Sequence, residues 1–120
     1  MHTVLIVDDH PEIRHLLHVV LHRSCSIIQA DNGFDALELI KKHRPKVVLL
    51  DVMMHGGMDG LQVLDTIKAD PQLSHIKVAM VSARGQATDT IDAAKRGANC
   101  YFIKPFSPME VVQWVKKQLV

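Results

Sequence analysis

Short, solid apolar runs alternate along the chain with longer stretches in which apolar residues recur every third or fourth position. Thr3 to Val7, Lys46 to Leu50, Ile76 to Val81 and Cys100 to Ile103 are the solid runs, and Ser26 to Ala30 is a weaker one. Runs without polar alternation suit strands covered on both faces, as in a parallel sheet flanked by helices. Pro11 to Arg23 carries Ile13, Leu16, Leu17, Val20 and Leu21 at the i, i+3, i+4, i+7, i+8 spacing of an amphipathic helix. Further helices are predicted over Phe34 to His43, Leu61 to Ala69, Ala87 to Arg96, and from Pro108 almost to Val120. Pro45 and Asp70-Pro71 supply stops, and Pro108 supplies a first-turn start. Five strands thus alternate with five helices, and each crossover is long enough for a right-handed βαβ unit. The prediction is α/β: a doubly wound, flavodoxin-like (βα)5 sandwich with a parallel sheet in the order 2-1-3-4-5.

Composition changes this picture little. A chain of 120 residues reads as one domain, residues 1–120, with no internal repeat or linker. Hydrophobic content of 48% and charged content of 22% are ordinary for a globular protein. A net charge of +1 gives no global field that would attract nucleic acid or an anionic membrane. No apolar run approaches the ~20 residues of a membrane helix. The N-terminus enters a strand at once and has no secretory pattern. Cys25 and Cys100 lack metal-type spacing, so a reduced, cytoplasmic setting is expected.

The polar residues that close the apolar runs carry the chemistry. Asp8-Asp9 follows the first run, Asp51 the third, Ser82 the fourth, and Lys104-Pro105 the last. A 2-1-3-4-5 sheet brings all of these to the carboxyl edge, where open α/β sheets bind ligands. Carboxylates ~4 Å apart repel by about 4 kcal/mol at an effective dielectric of 20, so such a cluster calls for a cation. All-oxygen ligands favour a hard ion, and Mg2+ fits a shallow site with few protein ligands. A capping role competes for Asp9, because Asp9-His10-Pro11-Glu12 matches a D-x-x-E helix start. No helix begins directly after Asp51, which makes a site the better reading there. An ammonium at Lys104 and a hydroxyl at Ser82 complement a phosphoryl group. Lys104-Pro105 is also a candidate cis peptide.

Taken in order, Val4-Leu5-Ile6-Val7-Asp8-Asp9, Leu49-Leu50-Asp51-Val52-Met53-Met54, Met58-Asp59-Gly60, Val81-Ser82-Ala83 and Phe102-Ile103-Lys104-Pro105-Phe106 resemble the receiver domain of two-component response regulators. The likeness spans essentially the whole chain. It implies that Asp51 is the phosphoacceptor for a sensor histidine kinase or phosphotransfer protein. Asp8, Asp9, Asp51 and the Met53 backbone carbonyl would hold Mg2+, with Mn2+ as a possible substitute. Lys104 would contact the phosphoryl group, Ser82 would be the switch hydroxyl and Tyr101 the switch aromatic. Ala83 would leave phosphoryl access open. Met53 and Arg84 would flank the acceptor and the switch serine at positions that tune decay of the phosphoryl group in relatives, and slow decay is expected with methionine at 53. The resemblance further implies a signalling phosphoacceptor rather than an enzyme acting on an external substrate. Its partner would be an output domain or downstream protein, and its state a monomer or weak dimer through helices four and five. One departure stands out. Where the family reads D-x-x-M-P-x-x-D-G, this chain has His55 for the proline and one extra residue, in Asp51-Val52-Met53-Met54-His55-Gly56-Gly57-Met58-Asp59-Gly60. The loop is expected to be differently shaped, with His55 as a solvated loop histidine.

Other readings fare worse. A flavin mononucleotide carrier needs a hydroxyl- and glycine-rich phosphate loop after strand one, and this chain has Asp8-Asp9-His10-Pro11. A haloacid-dehalogenase-type phosphatase needs a second Asp two residues past its nucleophile, where this chain has Met53. A docking module with a dead acceptor would have lost a required side chain, and none is missing. His15, His18 and His22 read as the polar face of helix one, without a third ligand of another type.

Overall fold

The computed structural model describes all residues, 1–120. Five strands, β1 (Thr3–Val7), β2 (Ser26–Ala30), β3 (Val47–Leu50), β4 (Lys77–Ser82) and β5 (Cys100–Ile103), form one parallel sheet in the order β2-β1-β3-β4-β5. The intervening helices are α1 (Pro11–Leu21), α2 (Gly33–His43), α3 (Gly60–Ala69), α4 (Ala87–Lys95) and α5 (Pro108–Gln118). The doubly wound architecture and strand order match the expectation. Where boundaries differ they move by a residue or two, as when β4 takes in Ser82 and α1 stops before His22.

Alternation along the strands assigns the helices to faces. Val4, Ile6, Val47, Leu49, Ala79 and Val81 pack with Leu17 and Leu21 of α1 and Val111 and Val115 of α5. Leu5, Val7, Val48, Leu50, Val78 and Met80 pack on the other face with Ala36 and Ile40 of α2, Val63, Leu64 and Ile67 of α3, and Ala93 of α4. The three central strands are buried on both faces, which is why their apolar runs are unbroken. No helix is long and apolar enough to cross a membrane.

Register carries the site. Val7 pairs with Leu50, Leu50 with Met80, and Ser82 with Ile103. The ladder continues one step beyond the strands, since the Asp51 amide donates to the Val7 carbonyl at 2.9 Å and the Lys104 amide to the Ser82 carbonyl at 2.8 Å. Asp8 and Asp51 therefore end adjacent strands at the same level. The Lys104-Pro105 bond is cis, as considered from sequence.

Candidate functional site

Asp8, Asp51 and Ser82 are the buried polar residues of the chain, at 2%, 3% and 1% exposure, and all three sit at carboxyl ends of central strands. Lys104 reaches them from the end of β5. Its Nζ lies 2.8 Å from Asp8 Oδ2 and 3.4 Å from Asp51 Oδ2. The parity of the strands explains the convergence. Asp8, Asp51 and Lys104 continue the α1–α5 face of their strands, whereas Ser82 continues the Met80 face shared with Tyr101. A cleft of about 560 Å³ opens over this edge, bordered by Asp9, Asp51, Ser82, Ala83 and Lys104. It has room for a hydrated ion and a phosphoryl group, a water occupying about 30 Å³.

The electrostatics follow from that burial. Asp51 is pushed up from 3.8 to about 6, first by loss of water and then by the charge of Asp8, against the pull of Lys104 and the Met53 amide. That amide donates to Asp51 Oδ1 at 3.3 Å. Burial alone would lower the Lys104 pKa. Its hydrogen bond to Asp8 and the charges of Asp51 and Asp8 outweigh this and hold it above its usual value. The Ser82 hydroxyl accepts from the Arg84 amide at 3.1 Å, and the Tyr101 hydroxyl donates to the Arg84 carbonyl. Arg84 itself pairs with Asp89 at 3.2 Å.

The competing capping reading of Asp9 fails. The N-cap position is His10, without a side-chain cap bond, and the Asp9 side chain, 13% exposed, points to the crevice. His55 is solvated as expected, at 91% exposure, yet its Nδ1 lies 2.6 Å from Asp9 Oδ2. The longer loop, with Gly56 and Gly57 at φ 96° and 86°, carries it across the crevice.

Sequence reasoning missed His10, treating it only as a spacer in a helix-start motif. Its Nδ1 lies 2.9 Å from Asp8 Oδ1, 3.0 Å from Asp9 Oδ1 and 4.0 Å from Asp51 Oδ2. The hydrogen bond to Asp8 raises its pKa, with help from the Asp8 and Asp9 charges. Direct adjacency to two acids was the available signal. The histidines of α1 and its C-terminal cap stay apart from this cluster. His15 and His22 are exposed, as expected of a polar face, while His18 is half-buried, stacks on His22 at 5.7 Å and leaves its Nδ1 without a partner.

The donor set fits a divalent cation. Asp8, Asp9, His10 and Asp51 each offer a ligand atom, all within 4.8 Å of one another. Asp9 Oδ1 is buried and accepts no hydrogen bond, the 3.0 Å approach of His10 lacking the geometry for one. An anionic oxygen left without a donor is a position for an ion.

The sequence model of the response regulator receiver domain matches residues 4–116. The chain belongs to the response regulator receiver domain family. This receiver domain is 40% identical over 117 residues to the transcriptional regulatory protein SrrA of Staphylococcus aureus. That match covers 97% of this chain and 47% of SrrA, so the receiver domain spans about half the length of the curated relative. Among solved structures, the Francisella response regulator 1452 receiver domain superposes with a TM-score of 0.90 at 27% identity, covering 98% of this chain and 96% of the other. The signal receiver domain of a DNA binding response regulator protein from Colwellia psychrerythraea 34H gives a TM-score of 0.88 at 28% identity, covering 99% and 98%. Receiver domains are signalling phosphoacceptors of two-component systems, which receive phosphoryl groups from histidine kinases.

Proposed function

We propose that residues 1–120 form a receiver domain that accepts a phosphoryl group on Asp51 in the cytoplasm, from a phosphohistidine of a sensor histidine kinase or phosphotransfer protein. The observation that carries this reading is the buried Asp51 carboxylate at a strand end, 3.4 Å from the Lys104 ammonium and beside Asp8. In the transfer, an Asp51 oxygen bonds to phosphorus as the phosphorus–nitrogen bond to the donor imidazole breaks, and the electron pair leaves with that imidazole. Charge spreads over the equatorial phosphoryl oxygens, so positioning and neutralisation carry the catalysis. Lys104 supplies a cation to one oxygen, and the Ser82 hydroxyl supplies a hydrogen bond to another. Asp8, Asp9, Asp51 and the Met53 backbone carbonyl would hold Mg2+, or Mn2+ in its place, and the ion would add positive charge against the same oxygens.

Hydrolysis of the aspartyl phosphate ends the signal. Met53 cannot orient a water through a side-chain amide or carboxylate, so decay is slow. Switching uses the face shared by Ser82 and Tyr101. Drawing the Ser82 hydroxyl toward phosphate breaks its bond with the Arg84 amide and frees the segment whose carbonyl holds Tyr101. The surface of α4, β5 and α5 then changes for an output domain, a downstream protein or a second copy. Such a shift needs a few kcal/mol of differential stabilisation.

Incubation with a small acyl phosphate and Mg2+, followed by mass spectrometry, tests the acceptor. One phosphoryl group is expected on the wild type and none on Asp51→Asn. Equal labelling of the variant, or no labelling of the wild type, overturns the reading.

A further inference from the structure

The geometry points to His10 as a nitrogen ligand of the crevice cation, giving this site a preference for a first-row transition ion over Mg2+, with His55 positioning Asp9 for that ion. This inference rests on the metal-dependent acceptor site proposed above and concerns what that site selects.

The oxygens of the cluster divide between two sides. Lys104 takes Asp8 Oδ2 and Asp51 Oδ2. Asp8 Oδ1 and both oxygens of Asp9 face the histidines instead. On that side the imidazole nitrogen of His10 stands between carboxylates, within 3.0 Å of two of them. Ligand atoms bound to one ion at about 2.0–2.2 Å lie on the order of 3–4 Å apart. The His10 nitrogen already has that spacing to Asp8, Asp9 and Asp51, at 2.9, 3.0 and 4.0 Å, and all four groups lie within 4.8 Å of one another. An ion seated on the free oxygen Asp9 Oδ1 therefore meets the His10 nitrogen without moving the backbone.

Chemistry decides which ion gains. Oxygen-only sites suit Mg2+, whereas an imidazole adds affinity for Mn2+ through Zn2+ in the Irving–Williams order and little for Mg2+. His55 acts differently. It reaches Asp9 Oδ2 at 2.6 Å from a loop with two glycines at positive φ, and the held oxygen is not the free one. Partners that orient a ligating carboxylate change affinity for every ion bound there. His10 thus sets selectivity, and His55 sets overall affinity.

The test is equilibrium titration of the unphosphorylated chain with Co2+ and, separately, Mg2+, with competition between them. No phosphodonor is present, so the result is independent of whether Asp51 accepts phosphate. The wild type is expected to bind one Co2+ that excess Mg2+ displaces. His10→Ala is expected to lower the ratio of Co2+ to Mg2+ affinity about tenfold, with Mg2+ affinity little changed. His55→Ala is expected to weaken both ions by a similar factor, with an unchanged thermal midpoint in the metal-free protein. A chain with His15→Ala, His18→Ala and His22→Ala together is expected to keep the wild-type ratio. An unchanged ratio in His10→Ala overturns the inference. So does Co2+ that Mg2+ fails to displace, or tight Co2+ binding that disappears with the α1 histidines. An effect of His55→Ala on Co2+ alone overturns the positioning role.

Discussion

A nucleophilic carboxylate must be desolvated enough to react and still ionised, and Asp51 is held between those demands. Burial and Asp8 push its pKa from 3.8 to about 6, while Lys104 limits the rise. The linkage to stability has a definite sign. Below about pH 4 Asp51 is protonated in the folded and unfolded chain alike, and its charge costs nothing. The cost appears between pH 4 and 6 and is complete above 6, where both states are ionised. Metal-free Asp51→Asn is therefore expected to be more stable than the wild type at pH 7.5, by about 1–2 kcal/mol after allowing for the partner Lys104 loses. The gap should close as pH falls toward 4, and denaturant titrations across that range would check it. Lys104→Ala is expected to do the reverse at pH 7.5. Two buried carboxylates lose their ammonium, at a cost of about 2–3 kcal/mol, and saturating Mg2+ should restore more stability than in the wild type.

At the scale of elements, the junction of β3 and α3 fixes where the acceptor lies. Asp59 and Gln62 form a reciprocal capping box that starts α3 at Gly60. The Gly60 amide bonds the Val52 carbonyl at 2.8 Å, and a Cβ at residue 60 would fall 1.9 Å from the Asp51 carbonyl oxygen. The helix can begin this close to the acceptor only because residue 60 has no side chain. Gly60→Ala is expected to cost about 3 kcal/mol or more and to slow Asp51 labelling by acyl phosphate, since relief requires moving the end of β3. Normal stability with normal labelling would show that the junction is soft. The loop before Asp59 tells the complementary story. Its extra length and two glycines were visible in the sequence, but its destination over Asp9 was not, because a glycine-rich loop carries no direction in its residue types.

Across the whole molecule, the sheet register joins one crevice to one surface. Residues 83–86 are exposed and link β4 to α4, with the Arg84 amide bonded to Ser82 and the Arg84 carbonyl to Tyr101. β1 and β3, by contrast, are buried on both faces. Phosphorylation should therefore change hydrogen exchange at residues 83–86, the first turn of α4 and β5, and leave β1 and β3 as they were. In Ser82→Ala the label should still enter Asp51, while the exchange response at β5 falls to less than half. A full response in that variant would detach Ser82 from the switch.

Much of this was readable in residue order. Unbroken apolar runs required strands covered on both faces, helical spacing supplied the crossovers, and the handedness rule left few ways to wind them. With the winding settled, Asp8, Asp9, Asp51, Ser82 and Lys104 had to meet, because each closes an apolar strand. What patterning could not reveal were contacts made by side chains outside the periodic elements. His10 faces the acids because the chain turns there before α1, with its amide bonded 2.9 Å from Asp8 Oδ1. His55 joins them because a loop crosses the crevice. Periodicity locates a residue along a strand or helix, but the approach of two irregular segments depends on backbone dihedrals and packing that only folding sets.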